Sequence, residues 1–190
     1  MTQVSESARV VARAAAAAFG GKPEVHAHRD EDRSHSVDIV ACADRPSPGL
    51  VSYSTLTLHM VPNKIEDDDI RVELAGVAEA SVKDFPNLLA TAAFYVIKDG
   101  WKARPGIVFP SLLREYSLSK TLEHMWVEPF EWTRLGSVDV GGGLTVHWLQ
   151  AVPISKTERQ YLMDNGYWKF EALITDREVD YWDLDRRPVV

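Results

Sequence analysis

The stretch from Phe85 to Gly100, FPNLLATAAFYVIKDG, constrains the fold more than any other. Leu88, Ala92 and Tyr95 fall on one helical row, and Leu89, Ala93 and Val96 fall on the next, so a broad face of this helix seeks burial. Asp84 is placed to cap it, Pro86 suits its first turn and Gly100 ends it. Segments with a period of two lie on both sides. A helix this apolar, set between strands, needs a sheet to cover it. The expected class is therefore α+β: one or two mainly antiparallel sheets packed with a central helix, and a helix at each end of the chain.

The flanking strands are read from alternation. EVHAH at 24–28 and SVDIVAC at 36–42 enclose the charged loop RDEDRSH. A turn containing Pro46, Pro48 and Gly49 leads into LVSYSTLTLHM, read as one long strand over 50–60. IRVELAGV at 70–77 places Ile70, Val72 and Leu74 inward and Arg71 and Glu73 outward, a half-buried strand. Shorter strands are expected at 106–109 and 122–127, with Pro129 interrupting. Gly141, Gly142 and Gly143 make a turn, not a phosphate loop, because a strand follows them and phosphate cradles need a helix N-terminus.

Helices are expected at both ends. Val4, Ala8, Val11, Ala15 and Phe19 form an apolar stripe over 3–19. Near the other end, VHWLQAVPISKTERQYLMDNG reads as a strand that stops at Pro153 and turns straight into a helix. Ser155 and Glu158 have capping-box spacing, Gly166 is the stop, and a short helix YWKFEALI follows. The tail from 176 onward has no assignment. No linker divides the chain, so residues 1–190 are read as one domain.

A net charge of −7 without a basic cluster argues against nucleic-acid binding and suits a basic partner. No window approaches a membrane span. The single cysteine, Cys42, excludes an intrachain disulfide and fits a cytoplasmic protein; it is read as a buried hydrophobe. His26, His28 and His35, with Asp30, Glu31 and Asp32 nearby, would allow a metal site, because His-x-His on a strand puts both rings on one face. The bland reading, a charged hairpin loop, is preferred, and no cofactor or metal is expected. The acidic run Glu66, Asp67, Asp68 and Asp69 is a solvated loop or a contact for a basic partner. Trp126, Trp132 and Trp148 are core candidates, whereas Trp101 follows a helix stop in a polar loop, where an exposed ring would anchor an interface. No catalytic set emerges.

In order and spacing, YSTLTLHM at 53–60, RVELAG at 71–76, FPNLLATAAFYV at 85–96, GIVF at 106–109 and VHWLQAVPISKTERQYL at 146–162 resemble the suppressor of fused (SUFU-like) domain family. The resemblance runs from about residue 25 to the C-terminus. It implies an α+β domain used for binding protein, not for catalysis. Bacterial members of this length are associated with polymorphic toxin systems, as immunity proteins that neutralise a toxin domain encoded nearby. The family motifs look structural here, so no binding residue is carried over from them. The expected partner-binding residues are Asp30, Glu31, Asp32, Glu66, Asp67, Asp68, Asp69 and Trp101, on loops 29–35, 63–69 and 99–105. Two alternatives stand beside this: a small metal-dependent enzyme using His26 and His28, and an adaptor for a cellular target.

Overall fold

The computed structural model describes residues 5–130 and 135–190. One sheet organises the chain. Its strands are β1 (Pro23–Arg29), β2 (Ser36–Ala43), β3 (Leu50–Thr55), β6 (Arg71–Glu79), β7 (Val108–Phe109), β8 (Leu122–Pro129), β9 (Ser137–Asp139) and β10 (Thr145–Ser155). They lie in the order β1-β2-β3-β6-β10-β8-β7, with β9 branching from β10. Every pairing is antiparallel except β6 with β10, which run parallel from Arg71↔Val146 to Ala75↔Gln150. β4 (Lys64–Ile65) and β5 (Asp68–Asp69) form a separate small hairpin. The class is α+β with a mainly antiparallel sheet, as the sequence leads one to expect.

Helices cover both faces. On one face lies α2 (Phe85–Asp99), whose Leu88, Leu89, Ala92, Ala93 and Val96 are buried with Leu74, Val127 and Leu149. Short α3 (Leu112–Glu115) joins it there. The opposite face carries α1 (Glu6–Phe19), with Val11, Ala15 and Phe19 against Val40, Cys42, Val146 and Trp148. Farther along that face lie α4 (Lys156–Asn165) and α5 (Tyr167–Asp176), where Leu162, Phe170 and Ile174 pack on Trp126, Val152 and Ile154. The stripe read for the first helix is the buried one from Ala8 onward; Val4, like Trp132, lies outside the described residues.

α2 presses closely on the sheet at Gly76. A β-carbon there would come within 2.9 Å of Phe85 Cε1 and Cζ. Gly76→Ala is therefore expected to cost about 1–3 kcal/mol by overpacking, measured by urea denaturation, with partial recovery in Gly76→Ala/Phe85→Leu.

Four details depart from the sequence reading. The strand expected over 50–60 ends at Thr55, and Leu58–Met60 forms a 3-10 turn. The cause is Glu73, which faces inward and is 0% exposed. Its carboxylate accepts hydrogen bonds from Thr55 Oγ1, Leu58 N (3.2 Å), His59 N (3.1 Å) and His59 Nδ1 (2.6 Å), wrapping the chain around it. Second, β10 continues through Pro153 to Ser155. The Pro153 carbonyl points away from β8, accepting from Arg186 Nη2 at 2.7 Å, so the nitrogen faces away from that ladder too and no bond is lost. Third, Asp84 occupies the N-cap position of α2, but its carboxylate accepts from Asn87 Nδ2 (2.9 Å) and caps no backbone N–H. Fourth, β8 reaches Pro129, two residues beyond the expected strand, and ends there.

The capping box forms as expected. Ser155 Oγ accepts from Glu158 N (3.1 Å) and Glu158 Oε2 from Ser155 N (2.7 Å), so the last strand residue is itself the cap of α4. The tail then returns across this junction. Arg186 is buried, with Nη1 2.6 Å from Glu158 Oε1, and Val189 N donates to the same oxygen at 3.0 Å.

The rims of the sheet differ. β1 is a seven-residue edge whose side chains are mostly exposed, Val25 at 53%, while β7 at the far rim has two residues.

Candidate functional site

The C-terminal end of α2 is the common neighbour of all three loops singled out in the sequence. Lys98, in its last turn, reaches loop 29–35: Lys98 Nζ lies 3.0 Å from Asp30 Oδ2 and 3.3 Å from Asp32 Oδ1. Trp101, one residue beyond the Gly100 cap, packs against both Tyr95 (5.1 Å between centroids) and Phe109 (5.5 Å), which also touch each other at 6.2 Å, and is half-buried. Its ring thus belongs partly to the core. Two residues on, Ala103 is clamped to the acidic hairpin: Asn63 Nδ2 donates to Ala103 O (2.8 Å) and Ala103 N donates to Asn63 Oδ1 (3.1 Å).

The acidic residues divide into two kinds. Asp30 is buried and accepts from His35 N (2.9 Å), Ser34 Oγ (2.9 Å) and the His35 ring (3.2 Å). Burial pushes its carboxyl up, but these bonds and Lys98 outweigh burial and hold it well below the ordinary carboxylate range. The bond to Asp30 in turn raises the Lys98 ammonium. Asp69 is similar: Arg71 Nη2 at 2.7 Å lowers its carboxyl, and Asn63 N donates to it. These two shape their loops. Glu31, Asp32, Glu66, Asp67 and Asp68 instead stand exposed and form the open negative surface.

The folded-state value of Asp30 lies below the unfolded one, so its stabilisation is complete above the usual carboxylate range and is lost as pH falls towards the folded value. Between about pH 4 and pH 2, wild-type stability should fall more steeply than that of Asp30→Asn, read from urea midpoints at each pH. Parallel pH curves would mean that the loop does not depend on this carboxylate.

Beside the hairpin is a groove of about 460 Å³. Ile65 and Ile70 form one side, Ala103 to Pro105 another, and Pro129, His147 and Leu149 the floor and far wall. The exposed carboxylates Glu66, Asp67 and Asp68 sit on the same hairpin as Ile65. An apolar groove with an acidic rim is suited to protein contact. Sequence reasoning missed it, because its walls come from five separated segments.

The histidines go to separate tasks. His28 Nδ1 bonds Asn87 Oδ1 at 3.0 Å, His35 bonds Asp30 and Ser34, and His26 stands exposed on β1. Among the described residues no three His, Cys, Asp or Glu side chains gather as a metal site. Cys42 is fully buried, and burial pushes its thiol up, away from the reactive thiolate. No described helix is long and apolar enough to cross a membrane.

Comparison with known proteins completes the picture. The suppressor of fused protein (SUFU) family matches residues 33–187. Immunity protein YqcF of Bacillus subtilis (strain 168) is 32% identical over 190 residues, covering 98% of this chain and 99% of that protein. The crystal structure of a SUFU homologue from Neisseria gonorrhoeae FA 1090 superposes with a TM-score of 0.75 at 13% identity, over 97% of each chain. Drosophila Suppressor of Fused superposes with a TM-score of 0.55 at 16% identity, over 88% of this chain and 42% of that one.

Proposed function

The chain belongs to the suppressor of fused family, and we propose that it serves as an immunity protein, binding and neutralising a toxin domain without catalysing a reaction. The full-length likeness to the Bacillus subtilis immunity protein carries this reading. The toxin is of the polymorphic kind, encoded beside this chain, and the complex forms in the cytoplasm. The acidic rim draws a basic toxin surface towards the groove, and the groove then seats an apolar feature of the partner, so that the toxin's active site is covered. Glu31, Asp32, Glu66, Asp67 and Asp68 supply the field, Asp30 and Asp69 hold the loops that carry it, and Trp101 stiffens the end of α2.

The test is co-expression in a bacterial host with the toxin domain encoded by the neighbouring gene. Growth should be restored, and the purified proteins should form a complex. Failure of both with every toxin-bearing neighbour would remove the immunity role. In the working complex, Glu66→Lys/Asp67→Lys/Asp68→Lys should slow association about tenfold or more at low salt and much less at high salt, measured by stopped flow. Equal rates at low salt would exclude the hairpin from steering.

A further inference from the structure

β1 is the long rim of the sheet, and among the described residues nothing pairs with its outer side. Its backbone directions follow from the ladder with β2. Asp30 N donates to His35 O at 3.2 Å, one step beyond the Arg29↔Ser36 pair. Residues that bond across an antiparallel ladder alternate, so His28, His26 and Glu24 also turn their N–H and C=O groups towards β2. Val25, Ala27 and Arg29 turn theirs outward, where no described residue bonds them.

Exposed rims are commonly blocked by a lysine, a bulge, a proline within the strand or a covering segment. Among the described residues β1 has none of these along its length. Its register with β2 is unbroken from Pro23 to Arg29, and its one proline is the first residue, where a missing N–H costs least. Its charged side chains, Glu24 and Arg29, stand near the two ends. Val25 is 53% exposed beside an exposed Ala27, and on the other face His26 and His28 line a hollow of about 230 Å³ with Ile39, Ala41 and Tyr53. Apolar surface therefore borders the open rim on both faces.

We propose that two copies of this chain join through β1, antiparallel about a two-fold axis at His26, so that one sheet runs through both. About that axis Glu24 comes opposite His28 of the second copy, Val25 opposite Ala27, and Pro23 opposite Arg29. Acid meets base at both ends of the contact, and each Val25 is covered by an Ala27. The outward N–H groups of Val25, Ala27 and Arg29 find the carbonyls of Ala27, Val25 and Pro23. Other axes keep the bonding sense but fit less well. An axis at Ala27 sets Glu24 against Asp30, acid on acid, and one at Val25 carries His28 and Arg29 past the start of the strand. A strand whose acid and base stand at equal distances from its middle residue is matched to its own copy, which names the occupant. The groove lies at β6 and β10, with β2 and β3 between it and the rim, so the pair presents two open grooves.

The test follows the full chain by sedimentation velocity over a wide range of concentration. Its mass should rise from one 21.3 kDa chain to two and no further. Ala27→Pro removes an outward N–H without touching the ladder to β2, and should leave a monomer with an unchanged unfolding midpoint. Val25→Lys only places a charge on the rim; it should act likewise, and it serves if the proline disturbs the strand. Glu24→Lys and His28→Glu should each weaken pairing about tenfold, since each change is met twice across the axis. Glu24→Lys/His28→Glu should restore pairing, because acid and base have exchanged places. A chain that stays single at every concentration would overturn the proposal, as would a pair that survives both Ala27→Pro and Val25→Lys. Failure of the exchanged variant to recover would overturn the axis at His26. A single chain whose toxin affinity drops in Ala27→Pro would give the rim to a partner strand and overturn the second copy as occupant.

Discussion

Replacing Arg186 with alanine is expected to cost about 3–5 kcal/mol of stability, because a buried carboxylate is left without its counter-charge. Glu158 is fully buried, and Arg186 meets it with both terminal nitrogens, at 2.6 and 3.1 Å. The same guanidinium donates to Pro153 O at 2.7 Å. One side chain thus joins β10, the first turn of α4 and the tail. Urea denaturation followed by circular dichroism measures the loss, and the thermal midpoint should fall by about 10 °C. Arg186→Lys should lie between, since an ammonium keeps the charge but not the fork. Arg186→Met/Glu158→Gln should recover part of the loss, because neither charge is then stranded. A loss below about 1 kcal/mol in Arg186→Ala would mean that water reaches Glu158 and replaces the arginine.

Glu73→Ala should cost about 4 kcal/mol or more, by breaking a buried hydrogen-bond network at the centre of the sheet. The carboxylate holds two backbone N–H groups, a hydroxyl and an imidazole, all in the segment 55–59. A carboxylate can only accept, which suits four donors. Glu73→Gln places an NH2 against some of them and should cost about 1–3 kcal/mol. Hydrogen exchange distinguishes this from a general loss of packing. The Leu58 and His59 amides should exchange faster in Glu73→Ala than the global change in stability requires. Uniform acceleration across the sheet would show that the carboxylate does not organise this turn.

These two residues also mark where the amino-acid sequence stops being informative. The stripe of α1 and the broad face of α2 are legible because each helix is buried on one side only, so periodicity carries the inside–outside information. The Ser155–Glu158 box is legible because both partners lie within one turn. Glu73 is not, since β6 is central and covered on both faces, and alternation there no longer separates core from solvent. Arg186 lies 28 residues from Glu158, in a segment without periodicity. Within the candidate site, Asp30 and Asp32 look equivalent in the sequence, as do Asp68 and Asp69. Lys98 reaches both Asp30 and Asp32, and only burial and the bond from His35 N set Asp30 apart, as Arg71 sets Asp69 apart from Asp68.

The unequal rims of the sheet bear on how the protein behaves when crowded. Fibre growth by strand stacking requires every unit to offer a template on two sides. Here a seven-residue template stands at one side and a two-residue stub at the other. Two copies meeting through their long rims leave, among the described strands, only the short β7 and β9, and a third finds no long edge to extend. Association by this route therefore ends at a pair and does not propagate into a filament.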